Sequence, residues 1–272
     1  SHVFEAERRL DRGRVEEARG FMEGLSRFLR FGETLSSASS LDPVPVDAVR
    51  KAQRSKALLT LGHGLAVRAR VSAAEGRDAE ARVDVQRLNA LANLAGGQSS
   101  LEVATASVAL RGHYWEACRQ LSRLPGARQR GFESLYQAEV RLPDSQAVVV
   151  EHLREHIENL QHGSPETGRW VVAAYDSNRA LAAFVDTWGE FLDRIEGLEN
   201  RPEDLSMAFL RWNRGIERHQ GVEFEPTKNA AATLASYMVQ VRKTEILRKR
   251  SVQPSELARR EGPESRNGKG NG

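Results

Sequence analysis

The chain of 272 residues contains one cysteine, Cys118. That excludes an internal disulfide and a cysteine-rich zinc site, and leaves the thiol to be read as a small hydrophobe on a packed helix. Aromatic residues are scarce at 6%, and only nine prolines interrupt the chain. Ala, Leu, Arg and Glu dominate instead, a balance that favours helix over sheet. No apolar run reaches the ~20 residues that a membrane span requires. The nucleophile elbow G-x-S-x-G is missing, as are the phosphate-cradling G-x-x-x-x-G-K-[ST] and G-x-G-x-x-G; Gly62-His63-Gly64 is too short to stand for one. No cofactor and no small-molecule substrate is therefore expected, and the fold class is all-α.

Charge is distributed unevenly. The whole chain sums to +3, whereas residues 242 to 272 carry nine Lys/Arg against four Asp/Glu, or +5, so the first 241 residues sum to −2. Basic character belongs to the C-terminal part. Arg242, Lys243, Arg248, Lys249 and Arg250 read as a helix C-terminus complementing its dipole, as an anionic-membrane or nucleic-acid contact, or as a partner-docking segment. No aromatic residue interleaves with them, which argues against a stacking platform for single-stranded nucleic acid. The chain opens on Ser-His without a methionine, read as a tag scar or a processed terminus. The default location is cytoplasmic, with an envelope-associated one if a signal or anchor preceded it.

A local grammar recurs three times. Gly13 is followed by Glu17-Ala18 and Leu25, Gly76 by Glu80-Ala81 and Leu88, and Gly112 by Glu116-Ala117 and Leu124. Glycine lets the chain turn between antiparallel helices, and the small alanine lets those helices approach closely. Helical pairs are expected over 3–12 and 14–34, over 48–75 and 77–94, and on either side of Gly112 from Leu101 to Leu124. Gly62 and Gly64 allow close approach or a kink in the third helix, and His63 between them reads as a surface or satisfied helix histidine. Ser99 and Glu102 suit a capping box.

The rest of the chain is expected to be helical over 127–141, 145–161, 165–176, about 181–195, 202–216 and 228–250, with a boundary at Pro143-Asp144. Leu181, Phe184, Val185, Trp188, Phe191, Leu192 and Ile195 recur at helical spacing and predict a buried stripe. Residues 1–142 form a repeat-like region, 143–250 a second helical region, and 251–272 a flexible basic tail.

The three glycine-centred segments, best preserved in ASVALRGHYWEACRQL from Ala106 to Leu121, resemble tetratricopeptide-type helical repeats. Gly76 and Gly112 lie 36 residues apart, near the ~34-residue period of that family, while Gly13 and Gly76 lie 63 apart. The likeness covers residues 3–125. It implies a stacked α-solenoid with a concave surface for a peptide or another protein, with an irregular helical bundle as the alternative arrangement. His113, Tyr114 and Trp115, just past the expected turn, are candidate contact residues, with a core position as the alternative for Trp115.

One string looks catalytic. His152-Leu153-Arg154-Glu155-His156 resembles the H-x-x-E-H motif of inverzincin proteases, which implies a zinc held by His152 and His156 with Glu155 as base and a third ligand from Glu223 or Glu225. The polar neighbourhood and the lack of a strand pattern favour a solvated helix face. The expected function is a non-enzymatic scaffold or adaptor that binds another protein; a structural subunit of a larger assembly and a zinc hydrolase are the alternatives.

Overall fold

A computed structural model describes residues 2–38, 48–97, 100–138, 148–152, 154–155, 185–186, 188–191, 193–195, 202–215 and 225–260. All regular structure among them is helical, as expected. Helices α1 (His2–Asp11) and α2 (Val15–Gly24) form a hairpin, and α3 (Ser26–Ser36) follows after a break at Leu25, where a single helix over 14–34 was expected. Next come α4 (Ala48–Ala74), α5 (Asp78–Gly96) and α6 (Leu101–Ser122), then α7 (Pro202–Gly215) and α8 (Glu225–Arg260).

Two of the three glycines turn the chain, and by the same hydrogen bonds. The Arg14 N–H donates to the Arg9 carbonyl and the Gly13 N–H to Leu10, both at 2.9 Å; likewise Arg77 donates to Ser72 at 2.8 Å and Gly76 to Ala73 at 3.2 Å. This Schellman pairing puts the glycine in the left-handed region, at φ 74° and 77°. The next helix restarts at once, with Ala18 donating to Arg14 and Ala81 to Arg77 at 3.1 Å. Both alanines are fully buried.

Gly112 does not turn. It lies inside the unbroken α6, so the hairpin expected around it is one helix of 22 residues. The reason is what surrounds it. A turn there would expose Leu110, Tyr114 and Trp115, which are all buried, and the missing side chain instead admits α8, whose Thr244 and Leu247 would stand 3.5 and 3.9 Å from a Cβ. The start of α6 also differs from the capping-box reading: Ser100 is the N-cap, its hydroxyl bonded to Glu102 at 2.5 Å.

The axis of the fold is α4, packed against both α5 and α6, which also pack on each other. Gly62 meets Leu110 of α6 and Leu88 of α5, while Gly64 meets Leu29 of α3 and Val3 of α1. The two glycines thus let neighbours close on opposite sides of one continuous helix. Leu58, Leu61, Leu65, Val85, Leu88, Leu91, Leu110 and Leu121 form the main core. A smaller cluster of Val3, Ala6, Ala18, Met22, Leu29, Val67 and Val71 holds the α1–α2 hairpin and α3 on α4. On its other side α6 lends Leu101, Ala104 and Val108 to a core with Phe191, Ile195, Trp212, Leu234 and Tyr237. The aromatic stripe is buried at Phe191 and Ile195, half-buried at Trp188 and exposed at Val185; Leu181, Phe184 and Leu192 lie outside the described residues.

Two further expectations are revised. Beyond Ser122 the chain makes turns and a 3-10 helix over Phe132–Gln137, not an α-helix from 127. The reason is Gly131 at φ 73°, whose Schellman bonds, Gly131 to Arg128 and Phe132 to Ala127, stop helical propagation. The last helix runs to Arg260 rather than Arg250, so residues 251–260 of the expected tail are helical. The Pro143-Asp144 boundary, the 165–176 helix and residues 261–272 lie outside the described residues.

Candidate protein-binding groove

A groove of about 750 Å³ runs between α2–α3 and the α4–α5 hairpin. Its apolar surface comes from Met22 and Val71, which are buried, and Val83, which is 40% exposed on α5. The walls are charged and tied together. Arg68 of α4 donates to both oxygens of Asp84 at 2.8 and 2.7 Å and to Glu33 of α3 at 2.7 Å. Arg87 of α5 adds bonds of 3.2 Å to Glu33 and 3.3 Å to Asp84. At the other end Arg19 of α2 reaches Glu75 at 3.4 Å, and Arg77 bonds Glu75 and Glu80.

These pairs differ in worth. Burial opposes the charge of Arg68, but hydrogen bonds and attraction from Asp84 and Glu33 outweigh it and raise its pKa. Asp84 is almost wholly buried, its side chain 4% exposed, so removing Arg68 would leave it only the longer bond to Arg87, at a cost of up to about 3–5 kcal/mol. Arg19–Glu75 and Arg77–Glu80 are open to water, where such pairs contribute about 0–1 kcal/mol. The groove therefore has one rigid end, where three helices share a guanidinium, and one end free to rearrange. Among the described residues no histidine or cysteine lines it. Its chemistry is that of an apolar strip bordered by both signs of charge.

The contact residues expected on α6 sit elsewhere. Tyr114 is fully buried and Trp115 is 4% exposed; the Tyr114 hydroxyl donates to the Leu135 carbonyl and the two rings meet edge to face at 4.9 Å. With Gly112 helical, no turn lifts them to the surface, and both lie in the core, the alternative already open for Trp115. Beside them Cys118 is buried, as expected, and burial pushes its thiol up to about 12.

His113 faces α4 and α1. Its ring stacks on His63 with centroids 5.1 Å apart and planes within 5°, and His63 Nε2 lies 2.9 Å from Glu7 Oε2 of α1. Phe4, 64% exposed, meets the His63 ring at 4.8 Å. His63 is thus the satisfied helix histidine that the sequence suggested, 8% exposed. Stacked parallel rings keep their nitrogens in separate planes, and among the described residues no group of three His, Cys, Asp or Glu is placed to hold a metal ion.

His152 and Glu155 are helical and half-buried. His156 and Glu223 lie outside the described residues, as does the side chain of Glu225. In the basic cluster Arg242 pairs with Glu245 at 3.9 Å, Lys243 is half-buried, and Arg248 and Lys249 are exposed on α8, which also contains Arg250. Among the described residues no helix is long and apolar enough to cross a membrane.

Sequence reasoning missed Met22, Val71, Val83 and the Arg68 clamp. The available signal was Arg68 itself, one of two arginines among the apolar residues from Leu65 to Val71, since a buried cation needs carboxylates brought to it from elsewhere. No protein-family model matches this chain, and neither the curated proteins nor the solved structures contain a match to it.

Proposed function

We propose that this protein is a non-enzymatic helical adaptor that holds a segment of another protein in the groove between α2–α3 and α4–α5. The observation that carries this reading is Val83, an apolar side chain 40% exposed over the buried Met22 and Val71 and bordered by ion-paired walls. An apolar strip rimmed by paired charges suits a partner segment with one apolar face and polar flanks. Two hairpins closed by the same Schellman turns and stacked through α4 also support a repeat-like arrangement of the tetratricopeptide kind, in which such grooves are the binding surface. The basic residues Arg242, Lys243, Arg248, Lys249 and Arg250 on α8 offer a second contact for an acidic stretch of the same partner.

The test is affinity capture with the full-length protein from its native host, beside Val83→Glu and a charge-reversed Arg248→Glu/Lys249→Glu variant, both of whose residues are exposed on α8. Val83 is exposed enough that its replacement should leave the circular dichroism spectrum unchanged. A stoichiometric partner lost with Val83→Glu supports the groove, and one lost only in the charge-reversed variant moves the contact to α8. A partner retained by every variant refutes both contacts.

A further inference from the structure

The junction of Glu7, His63 and His113 ties together α1, α4 and α6, and it lies at the seam between the main core and the small cluster that carries the N-terminal hairpin. We infer that the stacked His63–His113 pair, closed by Glu7, is an acid-sensitive latch holding the α1–α2 hairpin on α4 and α6. Opening it dismantles the groove, because Met22 and Arg19 of α2 form one of its sides. That consequence for binding rests on the adaptor reading above; the latch itself does not.

The geometry makes protonation the sensitive step. Two imidazoles stacked face to face cannot both carry a proton without facing like charges at close range. Glu7 of α1 takes the hydrogen bond of His63, so the carboxylate serves one ring of the pair. Among the described residues the other charges around the junction are Asp11 of α1, Arg70 of α4 and Glu116 of α6. Arg70 donates to Glu7 at 3.3 Å and to Asp11 at 2.5 Å, and Glu116 is held by Arg119 and Gln120. None is hydrogen-bonded to His113.

Both shifts act in the same direction. Burial first, then the neighbouring His63, pushes His113 from 6.5 down to about 4. A base with a depressed folded value takes up its proton in the opened form near 6.5 and in the closed form only near 4, so opening becomes easier as pH falls between those values. Glu7 is held below its ordinary value, chiefly by the His63 hydrogen bond. Its contribution is present above about 4.5 and is lost on further acidification. For His113 alone the opening constant rises on the order of tenfold to thirtyfold between pH 7.5 and pH 5.

Hydrogen exchange on the full-length chain without any partner tests this. Protection of amides in α1 and α2, corrected for intrinsic rates, should fall on the order of tenfold or more from pH 7.5 to pH 5 relative to those of α5, and this dependence should vanish in His113→Gln. A nuclear magnetic resonance titration of the wild-type histidines gives a second readout that needs no variant to fold: the His113 ring should remain neutral until well below pH 6. Unchanged protection of α1–α2, a pH dependence that survives His113→Gln, or a His113 titration near its ordinary value would overturn the latch. Since no partner enters either measurement, failure here leaves the adaptor reading standing, and failed partner capture leaves the latch standing.

Discussion

Arg111 lies in the middle of α6 with none of its side chain exposed, and its replacement by methionine is expected to stabilise the protein. Among the described residues the guanidinium makes one hydrogen bond, from Nη2 to Asn93 Oδ1 at 2.8 Å, while Nε and Nη1 have no partner there. Burial lowers its pKa from 12.5 to about 10, and among the described residues no carboxylate offsets that shift. It is still charged at neutral pH, and the shift corresponds to roughly 3 kcal/mol against the charged form. Methionine keeps an unbranched apolar stem, removes the charge and gives up one hydrogen bond worth about 0.5–1.5 kcal/mol. The expected net gain is about 1–3 kcal/mol, or a few degrees in Tm for a chain of this size. Urea unfolding followed by circular dichroism measures it, with Arg111→Ala as the control that leaves a cavity and loses stability. A midpoint shifted downward in Arg111→Met would refute the reasoning, because it would mean that the guanidinium is neutralised in the folded protein.

The glycines of α4 and α6 should respond in opposite ways. A Cβ at Gly62 would collide with Leu110 Cδ2 and stand 3.0 Å from Leu88 Cδ1, so Gly62→Ala should cost about 1–3 kcal/mol. Gly112→Ala meets nothing closer than 3.5 Å and should be neutral or gain up to about 1 kcal/mol from helix propensity; equal losses in urea midpoint for the two would contradict the packing. Cys118, with its thiol raised to about 12 by burial, should react with a thiol reagent only as fast as the protein opens, and at once in denaturant. Fast labelling of the folded chain would show the interior of α6 to be accessible.

The sequence carried the all-α class and the two turns at Gly13 and Gly76, because each signal there is local: a glycine, an exposed cap and an alternation of small and apolar residues within one hairpin. Gly112 shares the grammar and breaks the rule, since its role is set by α8, more than a hundred residues away, and no local pattern reports a helix arriving from that distance. The same limit hid the site. Arg68, Glu33 and Asp84 look like solvated charges when read one helix at a time, and they become a clamp only when α3, α4 and α5 meet. The burial of Tyr114 was hidden for the reason that the role of Gly112 was, a turn assumed where α6 continues. His63 was read as satisfied, but its partners Glu7 and His113 lie 56 and 50 residues away along the chain, so their meeting could not be inferred from spacing.

The two hairpins, alike in their turns, differ in how firmly they are held, and this gives the groove its character. The α4–α5 hairpin is part of the main core, with Leu65, Leu88 and Leu91 fully buried. The α1–α2 hairpin rests on a seven-residue cluster, three of whose members are Ala6, Ala18 and Val3, and small side chains bury little area each. Its other ties are the Arg70 pairs with Glu7 and Asp11, the Arg19–Glu75 pair and the Glu7–His63 bond. Local opening is governed by the weakest cooperative unit, so the α2 side of the groove opens before the α5 side. Anything that binds across both sides must therefore stabilise the N-terminal hairpin by mass action. Partner binding and slowed exchange in α1–α2 are then one observation, and a partner that bound without slowing that exchange would have to dock elsewhere.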